Sequence, residues 1–311
     1  MTRGRALAAA AALLVLAAAA SCGGSPATKS STPVRPKLAT PADRLLSLLP
    51  DGAQVVVELD LARLRNNPVV GGLVTRALTV EGITTLPGDI PMSPLATADT
   101  LVMAAYGVGT ANAATLTLLA TTQPVDGATT IGDGIVAIGP ADWIAQVEAR
   151  AGIAAASGAP LVASSELIRL RDHAMPDQAP GASFRVTAAL PFDARVALAR
   201  QTGLDSAPAR LSIWGDVVDD LVIIVDADAT DPGDRKTKHP TKRLEIAMRS
   251  ALDAIAAEPA VRALGIPSSL RSAKLVSRGS WLRTIIAIGP SHLQRVVERA
   301  NALLSAAGAK S

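Results

Sequence analysis

The hydrophobic pattern along the chain begins with one long apolar run and continues with short β-type runs and amphipathic segments. The apolar run covers residues 6–20 and follows two basic residues, Arg3 and Arg5. It contains 15 residues, whereas a helix that spans a bilayer needs about 20. A basic start, a short apolar run and small residues after it are typical of a secretory signal peptide. The pattern therefore predicts that residues 1–21 are removed on export.

In the first half of the body, residues 42–175, short apolar runs alternate with amphipathic segments. Runs rich in β-branched residues are typical of strands. Residues 70–78 instead place apolar side chains at i, i+3, i+4, i+7 and i+8, which predicts a helix. Prolines and glycines in residues 81–98 predict a long loop. The predicted strands of this half cover residues 54–60, 100–106, 113–121 and 134–138.

The second half, residues 183–307, shows the same alternation after a boundary rich in proline and glycine at 172–182. Helices are predicted at 191–201 and 241–257, and a last helix is predicted to begin at Pro290. The predicted strands of this half cover residues 183–190, 209–214, 221–226, 274–276 and 281–288.

The order of these elements predicts the fold class. Strands in both halves often come as neighbouring pairs with helices between the pairs, an order that favours antiparallel sheets over a parallel one. We therefore predict an α+β protein of two similar halves. Each half is expected to contain a mainly antiparallel sheet with helices packed on one face.

An internal similarity points to the same two halves. Residues 135–140 read IVAIGP and residues 285–290 read IIAIGP, so the two stretches lie 150 positions apart. Val147 and Val297, in the segments that follow, are separated by the same 150 positions. Proline is favoured at the first position of a helix, so both stretches predict a strand, a glycine turn and a helix start. Duplication of an ancestral unit is one interpretation. The other is that strand–Gly-Pro–helix is a common local arrangement in an alanine-rich chain.

Composition excludes some classes of function. Lys and Arg number 30 against 27 Asp and Glu, and loss of Arg3 and Arg5 with the signal peptide leaves 28 against 27. This balance predicts no affinity for acidic partners in general. Aromatic residues make up only 2% of the chain, and surfaces that stack nucleic-acid bases need exposed aromatic rings. We therefore predict that nucleic acid is not a partner.

Residues that could carry catalysis or bind a metal are few. The histidines are His173, His239 and His292, and none has a second histidine or a cysteine at metal-ligand spacing. Each is predicted to be a solvated surface residue. The sequence contains no G-x-S-x-G, H-E-x-x-H or G-x-x-x-x-G-K-[ST] motif. We therefore predict a protein that is not an enzyme, with no catalytic residue, cofactor or metal ligand.

The densest acidic cluster covers residues 226–234 and contains four aspartates. Carboxylates in a turn could hold Ca²⁺ through hard oxygen ligands. Counted from Asp226, however, positions six and twelve of an EF-hand loop would be Asp231 and Thr237 instead of Gly and Glu. A basic run in residues 235–243 follows and partly neutralises the acids, and it could itself touch anionic lipid. The preferred interpretation is a solvated polar loop after a buried strand.

The only cysteine, Cys22, directly follows Ala19-Ala20-Ser21 at the end of the apolar run. This order resembles the lipobox of bacterial lipoproteins, with Ala19 where that family usually has leucine. The resemblance implies that Cys22 becomes the acylated, palmitate-bearing first residue of the mature chain, anchored to the bacterial cell membrane or outer membrane. A lone thiol in a secreted protein needs an explanation, and acylation supplies one. The alternatives are a chance cysteine after an ordinary signal peptide and a retained N-terminal anchor.

After Cys22 the chain is expected to form a tether and then the folded body. Residues 22–41 are rich in Gly, Ser, Thr and Pro, and such a segment has too little apolar surface to order itself. We expect a disordered spacer of roughly 25 Å. Residues 49–52, which read LPDG before the VVVELDL run, resemble uncharacterised exported bacterial proteins with duplicated α+β halves. That resemblance implies no functional residues.

These expectations define one function and one alternative. The sequence predicts a lipid-anchored protein of the cell envelope or periplasm with a non-catalytic binding or structural role. Its partners would be the membrane, through the N-terminal lipid, and another envelope protein or a small apolar ligand. The alternative is an envelope hydrolase whose active site the sequence does not reveal.

Overall fold

The computed structural model describes residues 40–79, 85–86, 90–91, 93–157, 166–176, 181–202, 207–230 and 240–308. The predicted signal peptide, with Cys22 and most of the tether, lies outside these residues. Among the helices that the structure describes, none is both long and apolar enough to cross a membrane.

Twelve strands are described. They are β1 (Val55–Asp60), β2 (Thr85–Leu86), β3 (Ile90–Pro91), β4 (Thr100–Tyr106), β5 (Ala114–Ala120), β6 (Thr129–Gly132), β7 (Ile135–Ile138), β8 (Phe184–Ala189), β9 (Arg210–Val217), β10 (Leu221–Asp228), β11 (Lys274–Arg278) and β12 (Trp281–Ile288).

The described helices lie between these strands. They are α1 (Pro41–Leu48), α2 (Leu61–Arg65), α3 (Gly71–Thr79), α4 (Ala141–Ser157), α5 (Glu166–Leu170), α6 (Phe192–Thr202), α7 (Pro240–Ala257), α8 (Pro259–Leu264), α9 (Pro267–Arg271) and α10 (Pro290–Gly308), with a 3₁₀ turn at Ser93–Ala96.

Ten of the strands form one antiparallel sheet in the order β6-β7-β5-β4-β1-β8-β9-β10-β12-β11. β1 and β8 pair at the centre, with Leu59 opposite Phe184. Read outward from this pair, the first half runs β1-β4-β5-β7-β6 and the second runs β8-β9-β10-β12-β11, so the strand order repeats. The α+β class and the antiparallel sheet are confirmed, and both halves share one continuous sheet.

The register assigns side chains to two faces, because directly paired residues point the same way. The face called the back face here carries a largely apolar row across the sheet. This row is Val136, Leu119, Leu101, Leu59, Phe184, Gly215, Ile223 and Ile286. The row one residue along lies on the opposite face, the front face. It is Ala137, Leu118, Val102, Glu58, Arg185, Trp214, Ile224 and Ile285.

Helices cover these faces differently in the two halves. In the first half, α1, α4 and α5 pack on the front face, while α2, α3 and the 3₁₀ turn pack on the back face. In the second half, α7 to α10 pack on the back face. The prediction that helices pack on one face therefore holds for α7–α10. It is wrong for the first half, where both faces of the sheet are apolar and helices pack on both.

The similar stretches IVAIGP and IIAIGP occupy matching strands that lead into unlike helices. β7 and β12 both lie second from an outer edge. However, α4 packs through Val147 on the front face, whereas α10 packs through Leu293 on the back face. A Cβ atom on Gly139 would lie 2.9 Å from the carbonyl oxygen of Thr115, while Gly289 has open space around it. The similarity therefore extends to strand order and stops at the glycine turn.

Candidate functional site

Charged side chains are concentrated on the front face, in the second half of the sheet and beneath the segment 166–176. Buried members project from neighbouring strands at alternate positions, which places them on one face. We call the following group the ion-pair layer: Asp43, Glu58, Arg171, Asp172, His173, Arg185, Arg210, Asp226, Asp228 and Arg283.

The first part of this layer joins α1, β1 and the turn after α5. Arg171 and Glu58 are 6% and 4% exposed. Arg171 Nε donates to Glu58 Oε1 at 2.6 Å, and Nη2 donates to Oε2 at 2.7 Å. Its third donor, Nη1, reaches Asp43 Oδ1 at 2.6 Å. This bidentate ion pair fixes the turn after α5 on the front face.

The start of α1 presents Asp43 to this arginine. Thr40 caps the helix by accepting from the Asp43 N–H, and Asp43 Oδ2 accepts from the Thr40 N–H at 2.7 Å. Burial alone would raise the pKa of Asp43, but the hydrogen bonds from Thr40 and the charge of Arg171 outweigh burial and hold it below 3.8. Burial alone would also lower the pKa of Arg171, because it disfavours the charged guanidinium. The negative charges of Glu58 and Asp43 outweigh burial and raise this pKa.

Arg185 lies beside this group, directly opposite Glu58 in the β1–β8 register. It is 3% exposed and donates to Asp172 Oδ1 at 2.9 Å. Burial lowers the pKa of Arg185, and the positive charge of Arg171 lowers it further. The layer thus holds two arginines and their carboxylate partners side by side across the junction of the two halves.

The second part of the layer surrounds Asp226, which is 1% exposed. Arg283 Nε and Nη2 donate to its two carboxylate oxygens at 2.8 and 2.6 Å. His173 Nδ1 lies 2.8 Å from Asp226 Oδ2, and because a carboxylate only accepts, this nitrogen donates. The His173 ring also stacks on Trp281 with a centroid separation of 3.8 Å. The imidazole ring of His173 is therefore held at its edge by Asp226 and on its face by Trp281.

The third part surrounds Asp228, which is also 1% exposed. Arg210 donates to its Oδ2 through Nε at 2.9 Å and Nη2 at 2.6 Å, and Thr230 donates to Oδ1 from its hydroxyl and its N–H. An open cleft of about 530 Å³ lies beside Arg210. Its lining residues are Gln54, Glu166, Ala189, Leu190, Pro191, Ala209, Arg210 and Thr230.

Only some of the residues that the sequence analysis considered belong to the part of the chain that the structure describes. Cys22, His239 and residues 231–238 lie outside the described residues. His173 lies on the surface as expected, with 38% of its side chain accessible, although its ring contacts Asp226 and Trp281. The expectation of a solvated surface is wrong for His292, which is half-buried with Nε2 2.8 Å from the Gly265 carbonyl oxygen.

The acidic cluster is corrected in the same way. Asp226 and Asp228 belong to β10 and are buried against arginines, so their part of the cluster is not a solvated loop. Within the part of the chain that the structure describes, no three His, Cys, Asp or Glu residues are grouped as a metal would need.

Sequence reasoning missed Glu58, Arg171 and Arg185. One signal was present, because Glu58 interrupts an otherwise apolar strand and a buried charge needs a partner. The partner itself carried no signal, since Arg171 lies 113 positions further along the chain.

Asp43 provides a test of the layer that depends on pH. Between its lowered native pKa and 3.8, the native state binds fewer protons than the unfolded chain, so stability falls as pH falls through this window. At pH 7, Asp43→Asn should lower the free energy of unfolding by about 1–2 kcal/mol, because a hydrogen bond to a charged group is lost. The difference from wild type should shrink below pH 3.8 in urea denaturation. Asp133→Asn is the control, because Asp133 is 85% exposed in its pair with Arg44; an equal loss in both variants would contradict the assignment.

Comparison with known proteins identifies no family. No family model matches the chain, and no curated protein matches it. Among solved structures, crystal form I of TP0453 aligns with 11% sequence identity and a TM-score of 0.42, covering 82% of this chain and 96% of that one. A likeness this weak carries no functional information.

Proposed function

We propose that this is a lipid-anchored protein of the bacterial cell envelope with a non-catalytic binding or structural role. The lipid anchor rests on the sequence around Cys22, and the observation that carries the non-catalytic role is that the buried carboxylates of the ion-pair layer are already paired with arginines. Glu58, Asp226 and Asp228 each accept two hydrogen bonds from one guanidinium. Carboxylates whose oxygens are both taken up by hydrogen bonds within the protein stabilise a scaffold, whereas a general acid or base must bring its carboxyl group within hydrogen-bond reach of a substrate.

The open cleft supports the binding part of the proposal. Its volume of about 530 Å³ falls within the range of about 300–1,000 Å³ that is usual for ligand sites. Leu190 and Pro191 give its lining apolar area, and Arg210 and Glu166 give its lining charged groups. Another envelope protein or a small apolar ligand is the expected occupant, as the sequence predicted.

The hydrolase alternative gains little from the one Ser–His contact on the back-face helices. Ser269 Oγ lies 3.5 Å from His292 Nδ1, which is long for a hydrogen bond between these atoms. Ser269 is 6% exposed, so a substrate has no access to its hydroxyl. We therefore retain a single proposed function.

The lipid anchor is tested through Cys22. The wild-type protein should incorporate a labelled fatty acid and float with membranes, whereas Cys22→Ala should do neither, because the thiol is the only site for the acyl chain. Ser21→Ala is the matched control and should leave labelling intact. Equal labelling of wild type and Cys22→Ala would refute the anchor.

A further inference from the structure

Charge is distributed unevenly along the ten-stranded sheet. Residues 42–175 contain 7 Lys and Arg against 13 Asp and Glu, whereas residues 240–308 contain 10 against 4. The first segment builds the half that ends at β6, and the second supplies β11 and β12 at the opposite edge. Nine strand spacings separate the two edges, about 45 Å. The first half of the sheet therefore carries an excess of negative charge, and the segment that ends the second half carries an excess of positive charge.

Basic residues are brought together at the β11 edge. Arg249 of α7 donates to the carbonyl oxygen of Ala273 at 2.9 Å, which holds the exposed side of α7 beside the start of β11. Ile246 lies one helical turn before Arg249 and is 60% exposed. We call the following exposed residues the basic end: Arg243, Ile246, Arg249, Arg271, Lys274 and Arg278. The exposed carboxylate of Asp253 lies 3.7 Å from Arg271 and offsets one of these five positive charges.

We propose that the basic end docks on an anionic membrane surface, so that the sheet stands on the bilayer with β11 facing it. The attraction of basic residues to anionic lipids acts within about 10 Å of the surface. Ile246, which has Arg243 and Arg249 one helical turn to either side, adds an apolar contact at the depth where amphipathic helices enter the interface. The acidic half is repelled by the same surface, and this repulsion sets the orientation.

The chain between Cys22 and the body is long enough for this arrangement, which depends on the proposed lipid anchor. The 18 residue steps from Cys22 to Thr40 can extend to about 60 Å. α1 begins at Pro41 and packs against the strands β1, β4 and β5, which lie five to seven spacings from β11, or about 25–35 Å. The same stretch carries Lys29, Arg35 and Lys37 and no acidic residue, so it too favours an anionic surface.

A second copy of the chain is the competing occupant, because its acidic end would also complement the basic end. The membrane is favoured for two reasons. An anchored protein is always within reach of the membrane, whereas a second copy must be met by diffusion. The exposed Ile246 also suits a lipid interface better than an acidic protein surface.

The experiment uses the acylated protein reconstituted in vesicles that contain phosphatidylglycerol or only phosphatidylcholine. Acylation consumes the native thiol, so Ser250→Cys provides one fluorophore site on the exposed side of α7, and Thr130→Cys provides one on β6 at the far edge. With brominated lipids, the Ser250 label should be quenched in phosphatidylglycerol vesicles and released by high salt. The Thr130 label should stay unquenched in both kinds of vesicle.

A charge variant with a matched control tests which residues are responsible. Arg271→Gln/Lys274→Gln/Arg278→Gln should reduce quenching of the Ser250 label about five-fold or more. Arg44→Gln/Arg169→Gln/Arg200→Gln removes the same charge from exposed sites elsewhere and should leave quenching unchanged.

Three results would overturn the docking proposal. Two are equal quenching in both kinds of vesicle and equal loss in both triple variants. The third is energy transfer between copies that rises with protein density while lipid quenching stays absent, which would assign the basic end to a second copy. Flotation in the same samples separates this proposal from the anchor. A protein that floats but keeps its Ser250 label in water fails only the docking, whereas a protein that does not float fails the anchor and the docking that depends on it.

Discussion

Replacing Arg171 with methionine should lower the free energy of unfolding by about 3–5 kcal/mol. The guanidinium forms a bidentate ion pair with Glu58, and both side chains are almost fully buried. Without it, Glu58 would remain in the interior as a poorly compensated charge. Arg185 lies opposite Glu58 but donates toward Asp172, so it offsets only part of this cost. Chemical denaturation followed by tryptophan fluorescence measures the change.

Two further variants show whether the loss of stability comes from the unpaired, buried charge of Glu58. Glu58→Leu combined with Arg171→Met should recover most of the stability, because a buried ion pair can be replaced by packed apolar side chains at little cost. Arg44→Met removes an arginine from an exposed pair, 53% and 85% accessible, and should cost less than about 1 kcal/mol. If Arg44→Met and Arg171→Met proved equally costly, burial would not be the cause.

Phe184→Ala should destabilise the protein by about 3–5 kcal/mol, the usual cost of removing a buried aromatic ring. Phe184 is 2% exposed and packs in the back-face core at the junction of the halves. Its ring lies over Gly215, where an added Cβ atom would clash with it. Gly215→Ala alone should therefore cost about 1–3 kcal/mol by overpacking. The same change should cost clearly less in the Phe184→Ala background.

The second phenylalanine of the chain is the matched control. Phe192 is 64% exposed and contacts the guanidinium of Arg195 at 5.5 Å from the ring centroid. Phe192→Ala should cost less than about 1 kcal/mol. Additive costs for Phe184→Ala and Gly215→Ala in a double-mutant cycle would show that the close approach of ring and glycine does not matter.

Much of the secondary structure could be predicted, because local patterns determine it. The VVVELD run is β1, and the proline at 290 begins α10. β6 was missed because Thr129–Gly132 is a short edge strand with little apolar content. The acidic cluster was misjudged because the β10 prediction stopped at residue 226. The strand continues to Asp228, and its period of two sends Asp226 and Asp228 to the same face.

The candidate site was much less accessible to prediction. Its pairs join residues that lie far apart in sequence, such as Arg283 and Asp226, which are 57 positions apart. Nothing in the sequence around one member specifies the other. The face on which a helix packs is equally hidden, because the same Ala-Ile-Gly-Pro sequence leads into both helices. In the structure Gly139 packs against Thr115, whereas Gly289 has open space around it.

The central β1–β8 pair also determines the order in which the chain can fold. β1 can pair with β4 as soon as residues 55–106 are available, but its other neighbour, β8, begins at Phe184. Pairing across so long a stretch of chain is slow, because the entropy of loop closure is lost before the new contacts form. Until β8 arrives, β1 is an edge strand, with backbone groups open to any other strand. The vulnerable species is therefore a half-built sheet, and aggregation is avoided when residues 55–189 are available together before β1 meets another chain.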